Sequence, residues 1–184
     1  MNVDIDITGV ILKTNRLILR EWTSADLSDF YEYASVDGVG QMAGWLPHED
    51  KEKSAQILSH FIEEKKTFAI EYNGKVIGSL GIEKYDEKAL CEFADLRARE
   101  LGFVLSKNYW GLGLMAEAIN CVIDYLFNEI KLDLIVCGHF KRNNQSKRVQ
   151  EKCGFTYYKD YNYTTRYNTI EDACINVLYN KKPL

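Results

Sequence analysis

The sequence predicts an α/β (α+β) protein, a single mixed and mostly antiparallel sheet of about seven strands flanked by about four helices. Three observations carry this. The run Glu100 to Leu105, ELGFVL, reads as a buried strand; a polar turn follows, and Gly111-Leu112-Gly113 opens an apolar helical pattern that lasts to Asn128. Thr67 to Tyr72 and Lys75 to Tyr85 flank Asn73-Gly74, the dipeptide that most easily supplies the two positive φ values of a type I′ hairpin turn. The mainly apolar run Leu132 to Phe140 follows the long helix, and strand–helix–strand is by default a right-handed parallel crossover.

The other elements follow in order. Val10, Ile11 and Leu12 extend a first strand or form an arm. Arg16 to Trp22 is the first full strand, and Thr23-Ser24-Ala25-Asp26 starts a helix running to about Ser35 with Leu27, Phe30, Tyr31 and Ala34 inward. Val36 to Pro47, with Gly38, Gly40 and Gly44, is a long loop holding Trp45. A second helix spans about Asp50 to Lys65 on a stripe of Ile57, Leu58, Phe61 and Ile62. After the hairpin an acidic connection, 86–93, leads to a strand over Ala94 to Leu105, making three antiparallel strands before the glycine turn. In the long helix Met115, Ala118, Ile119, Val122 and Leu126 share a face. Asn143 to Lys152 is a short helix with Val149 inward, ended by Gly154; Phe155 to Tyr163 and Glu171 to Tyr179 complete the sheet.

At 184 residues, 46% of them hydrophobic, the chain suits one domain over 1–184. Acids stand where a signal peptide carries its basic region, and no apolar run reaches membrane-spanning length, so a cytoplasmic protein with no membrane partner is expected. Five cysteines, spread singly and without a C-x-x-C pair, read as buried free thiols. His48, His60 and His139 lack ligand spacing, so no metal is expected. A net charge of −4 argues against a sequence-independent grip on nucleic acid.

The first turn of a helix has N–H groups without intrahelical partners, and glycines let an anion approach them closely. A nucleotide-type cofactor with its pyrophosphate on residues 110–115 is therefore expected. Gly111-Leu112-Gly113-Leu114-Met115-Ala116 formally satisfies the dinucleotide pattern G-x-G-x-x-A, but the preceding strand ends about six residues too early and no acid for a ribose closes the next one. A P-loop fails, since no Lys-Ser or Lys-Thr follows the glycines.

Asn108-Tyr109-Trp110-Gly111-Leu112-Gly113, together with Asn143-Asn144-Gln145-Ser146 and Cys153-Gly154-Phe155 one strand later, resembles the signature of the GCN5-related N-acetyltransferase (GNAT) family. Thr14 to Arg20 and Glu100 to Leu105 look most like its RimJ/RimL-like branch, which acetylates the amino termini of ribosomal proteins. The resemblance covers roughly residues 14–180 and implies the GNAT fold, in which two central parallel strands splay into a V. It implies acetyl-CoA in that V, its pantetheine paired with the backbone of Phe103, Val104 and Leu105. Its pyrophosphate would meet Asn108 and the N–H groups of Trp110, Gly111, Leu112, Gly113, Leu114 and Met115. Asn143 would hold the pantetheine amide or cap its helix. Ser146 would face the CoA sulfur or stabilise the helix start. The implied acceptor is a primary amine, most of all a protein or peptide amino terminus; a homodimer is one implied assembly.

Acetyl transfer needs a neutral amine, a stabilised oxyanion and a proton for the departing thiolate. An α-amine is neutral in roughly a tenth of molecules near pH 7, a lysine amine in only about one in a few thousand, so a base matters more for lysine. The resemblance implies Glu100 as that base, the alternative being a solvated strand carboxylate. Two departures stand out. Asn108 replaces the usual Gln or Arg, and Gln150 stands where many relatives carry the tyrosine that protonates the thiolate, which leaves that role to Ser146 or water. Glu117 reads as a helix-dipole charge. Three other readings stay open: a small-amine acetyltransferase whose acceptor is chosen by the loop with Trp45 and His48, a non-catalytic CoA sensor, and an NADP-type reductase using Lys141-Arg142.

Overall fold

The computed structural model describes residues 1–180. In chain order the elements are β1 (Leu12–Lys13), β2 (Leu17–Arg20), α1 (Leu27–Ala34), α2 (Lys51–Glu64), β3 (Thr67–Tyr72), β4 (Lys75–Glu83), β5 (Ala98–Leu105), α3 (Leu114–Asn128), β6 (Leu134–Phe140), α4 (Asn144–Lys152), β7 (Thr156–Thr164) and β8 (Ile170–Tyr179). The strands form one open sheet in the order β1-β2-β3-β4-β5-β6-β8-β7, with β5 and β6 parallel and every other neighbouring pair antiparallel. The strand beyond the expected seven is β1, which pairs Leu12 with Leu19 and so realises the extension read at Val10 to Leu12.

Local chemistry places most boundaries. Asp50 caps α2 by accepting the Lys53 N–H at 2.7 Å. Asn73 and Gly74 turn the β3–β4 hairpin at φ 51° and 78°. On α3 the apolar stripe from Leu114 to Leu126 packs on Leu101, Leu105, Ile135 and Cys137 of the sheet. On the other face α1 and α2 bring Phe30, Tyr33 and Leu58 onto Ala69 and Val76.

Four expectations need correction. Tyr33, not Tyr31, is the fully buried tyrosine of α1, and Ile62 of α2 is exposed, since Ile57, Leu58 and Phe61 make the contacts of that helix with the core and Ile62 does not. The strand expected from Ala94 begins at Ala98, because the Ala94 and Leu96 N–H groups close turns onto Cys91 and Phe93. Of the five free cysteines only Cys137 and Cys153 are buried; Cys91 is exposed and Cys121 and Cys174 are half-buried, at positions flanking the core stripes.

One feature of the sheet positions everything that follows. β5 and β6 pair only through Ala98, Arg99 and Glu100 with Leu134, Ile135 and Val136, although β5 continues to Leu105 and β6 to Phe140. Beyond Glu100 the two strands part into a V. At the fork Cys137 Sγ lies 3.3 Å from Leu101 O.

Candidate active site

The open arms of the V leave backbone groups of β5 without strand partners. Period-two alternation sends the Val104 carbonyl toward Gly78 of β4, so close that a Cβ on Gly78 would strike it. Of the three expected pantetheine partners, Phe103 and Leu105 therefore turn their backbone groups to the opening, and Val104 does not. Leu105 O already accepts the Trp110 indole N–H at 2.8 Å, so Phe103 offers the unclaimed donor and acceptor.

At the far end of the opening the chain turns through Gly111 and Gly113, at φ 79° and 77°, into α3. Gly113 stands at the N-cap position in the left-handed region, which an L side chain occupies only with strain. A methyl group on Gly111 would meet nothing within 4 Å, so the approach to its backbone is open. The Trp110 N–H is spent on Lys107 O, which removes it from the expected anion donors. The N–H groups of Gly111, Leu112, Gly113, Leu114 and Met115 have no protein acceptor among the described residues. These donors at the positive end of a 15-residue helix fit a pyrophosphate. Leu114 and Met115 offer only their backbones, because their side chains are buried in the core. Asn108 is exposed in the turn before.

Arg16 braces this turn, a role absent from the expected site. Its Nη1 donates to Leu112 O at 3.1 Å and its Nε to Glu117 at 2.7 Å, while Glu117 also accepts from Thr14. Glu117 is thus a strut joining the segment before β2 to α3 as well as a favourable helix-terminal charge.

At the fork stands Glu100. Its carboxyl has no hydrogen-bond partner among the described residues, and burial first, then Glu83 and Asp86, push it up to about 7. Glu83 lies directly opposite it in the β4–β5 ladder. Such a group exchanges protons near neutrality.

Across the fork, Gly138 of β6 is the meeting point. A Cβ there would lie 2.8 Å from the Tyr161 hydroxyl and 3.5 Å from Glu100 Oε1. Its carbonyl accepts Gln150 Nε2 at 3.0 Å, and the same amide donates to Ser146 Oγ at 3.1 Å. Glu100 thus lies beside Gly138, and Ser146 is linked to its carbonyl through Gln150. Ser146 Oγ accepts from Gln150, so its own hydrogen is free to donate elsewhere. Gln150 is fully buried and takes a further bond from Asn176 Nδ2 at 2.7 Å; it staples α4 to β6 and β8.

Asn143 is committed to the fold. Its Oδ1 caps α4 on the Ser146 N–H at 3.0 Å and its Nδ2 holds Met42 O at 3.2 Å. Of its two expected roles the side chain performs the cap. His48, expected among the residues that choose the acceptor, is turned inward: Nδ1 meets Ser54 Oγ at 2.8 Å, and burial lowers its pKa. Trp45 stays half-buried and packs on His48. The loop carrying both is tied down by Arg142, which bonds Gln41 O and Glu171, and by the Arg166 N–H on Gly44 O. Tyr161, unmarked by any motif, was legible only as one of many tyrosines in β7.

No helix of the described residues is long and apolar enough to cross a membrane, and no group of three or more His, Cys, Asp or Glu among them could hold a metal ion.

Comparison with known proteins agrees with this geometry. The family model described as an acetyltransferase (GNAT) domain matches residues 16–156. The uncharacterized N-acetyltransferase YoaA of Bacillus subtilis (strain 168) is 32% identical over 152 residues, 79% of this chain and 82% of the relative. Among solved structures, an acetyltransferase (GNAT family) from Bacillus anthracis superposes with a TM-score of 0.80 at 21% identity, covering 92% of this chain and 98% of that one. The ribosomal-protein-S5-alanine acetyltransferase of Vibrio fischeri superposes with a TM-score of 0.73 at 22% identity, covering 95% and 100%.

Proposed function

The chain belongs to the GNAT acetyltransferase family and is an acetyl-CoA-dependent N-acetyltransferase; from this premise we propose that its acceptor is the α-amine at the amino terminus of a protein or peptide, with Glu100 as the general base. The observation that carries the reading is the parting of β5 and β6 at Glu100, which sets a carboxyl of near-neutral pKa at the root of an opening with unpaired backbone groups. The ribosomal-protein-S5-alanine acetyltransferase among the structural neighbours supports a protein amino terminus as acceptor.

Bound acetyl-CoA supplies an acetyl group activated as a thioester. In our reading the residues 1–184 act as one domain in the cytoplasm, where the five free cysteines stay thiols. Phe103 pairs with the pantetheine through its N–H and C=O, and the N–H groups from Gly111 to Met115 hold the pyrophosphate. Glu100, ionised in about half of molecules near pH 7, takes the proton that the ammonium must lose. Ser146 directs its free hydrogen to the leaving sulfur, the role that Gln150, sealed in the fold, does not take.

The test combines binding with turnover. A ligand at about a hundred times its dissociation constant adds roughly 2.7 kcal/mol of stability, so acetyl-CoA and CoA raise the melting temperature and NADPH does not. Thiol release is then followed with alanine- and serine-initiated peptides, a lysine side-chain amine and a small amine. Faster turnover of the peptides supports an amino-terminal acceptor; faster turnover of the small amine refutes it.

A further inference from the structure

The side of the fork facing the acceptor carries a second polar group that no motif in the sequence singles out. Tyr161 of β7 reaches over β8 to Gly138 of β6, where its hydroxyl and Glu100 Oε1 both lie within 3.5 Å of the space a Cβ would fill. The ring packs on the cluster of Tyr85, Phe93, Val136, Ile175 and Val177, and its edge meets Tyr163, so the hydroxyl is held in place. That hydroxyl has no hydrogen-bond partner among the described residues, and neither does the Glu100 carboxyl. Two polar groups held side by side without partners, at the one position of β6 that lacks a side chain to separate them, form a receptor for a third group.

Building on the reading of Glu100 as base, we propose that Tyr161 is an acceptor-positioning residue: its hydroxyl oxygen takes one N–H of the incoming primary amine while Glu100 takes another. A carboxylate and a phenol oxygen beside each other both accept hydrogen bonds, so they match a group with at least two N–H bonds to give. An alcohol offers one, and a tertiary amine at most one. The groups acting electrostatically on Glu100 are Glu83 and Asp86, both acidic, which favours a cationic ammonium as the species that enters. When one proton passes to Glu100, the nitrogen lone pair forms along that former N–H direction, and the N–H held by Tyr161 limits how the nitrogen can turn that pair toward the thioester carbonyl. Gly138 is the steric condition for this arrangement, since a methyl group there would collide with the hydroxyl.

Tyr161→Phe keeps the packed ring and removes only the hydroxyl. Steady-state kinetics with an alanine-initiated peptide and with n-butylamine, run beside Gly138→Ala and Glu100→Gln, read the outcome. Tyr161→Phe is expected to raise KM for both amines by about tenfold, the effect of one lost hydrogen bond, with KM for acetyl-CoA and the CoA-induced melting shift unchanged. Gly138→Ala, by displacing the hydroxyl, is expected to move the amine KM in the same direction. A purely structural tyrosine changes the melting temperature and produces no such split between the two substrates. Wild-type amine kinetics in Tyr161→Phe, with Glu100→Gln inactive, overturn this inference and leave the reading of the base intact. Wild-type kinetics in both variants overturn the two together.

Discussion

Glu83 and Glu100 stand directly opposite each other in the β4–β5 ladder, a like-charge cross-strand pair at the root of the V. Like charges so placed destabilise the doubly ionised state, which adds to burial in raising the proton affinity of Glu100. Asp86, on the connection after β4, acts on Glu100 in the same direction, and Glu100 in turn raises the Tyr161 hydroxyl and the Cys137 thiol. Glu83→Gln removes a negative charge, so the ionised form of Glu100 becomes easier to reach. The acid limb of the kcat/KM profile, expected near the value of about 7 to which Glu100 is raised, should move to lower pH. An unmoved limb would mean that burial alone sets the value.

Glu100 itself is predicted to trade stability for activity. Its folded pKa of about 7 lies above the ordinary glutamate value, so ionisation favours the unfolded chain. The penalty is absent below about pH 4, grows as pH rises toward 7 and is complete above it. Glu100→Gln should therefore melt higher than wild type at pH 8, by about 1–2 kcal/mol after allowance for the water that still reaches the carboxyl, and about equally at pH 4. Turnover should fall by about a hundredfold or more. Equal melting at pH 8 would remove the buried-carboxylate argument.

Arg16 should matter to the cofactor more than to the fold. Its guanidinium, 43% exposed, contributes under about 1 kcal/mol through Glu117, but it also holds the Leu112 carbonyl. Arg16→Ala is expected to leave the melting temperature within about 4 °C of wild type while weakening CoA binding several-fold, as measured by calorimetry. A large loss of stability with unchanged CoA affinity would assign Arg16 to the fold alone.

Gln150 is expected to behave as a fold residue. Gln150→Leu strands the Asn176 amide and the Gly138 carbonyl in the interior, costing about 2–4 kcal/mol in chemical denaturation. Gln150→Tyr should not raise turnover, because the position is sealed against the core and the larger ring must displace α4. A gain in rate would show that a tyrosine can work there.

The strands and helices were legible because each rests on local chemistry. Asn73-Gly74 names its own turn, Asp50 its own cap, and the stripe from Met115 to Leu126 its own helix face. Glu100 and the glycine turn could be found because they lie in or beside motifs continuous in sequence. The errors fell where a neighbour decides: which tyrosine of α1 is buried, where β5 begins, and whether the Val104 backbone faces the opening or β4.

What the sequence determined by itself is the order of elements, the parallel crossover at β5–α3–β6 and the glycine turn that opens α3, since all of these follow from periodicity and from the backbone freedom of glycine. What only the tertiary structure decided is the chemistry at the fork. Residues 83, 100, 138 and 161 come from four different strands, and nothing in a linear pattern says that they meet. Their meeting raises the proton affinity of one carboxyl, leaves one hydroxyl unpaired and makes one glycine indispensable, because burial and Coulomb repulsion depend on distances through space rather than along the chain.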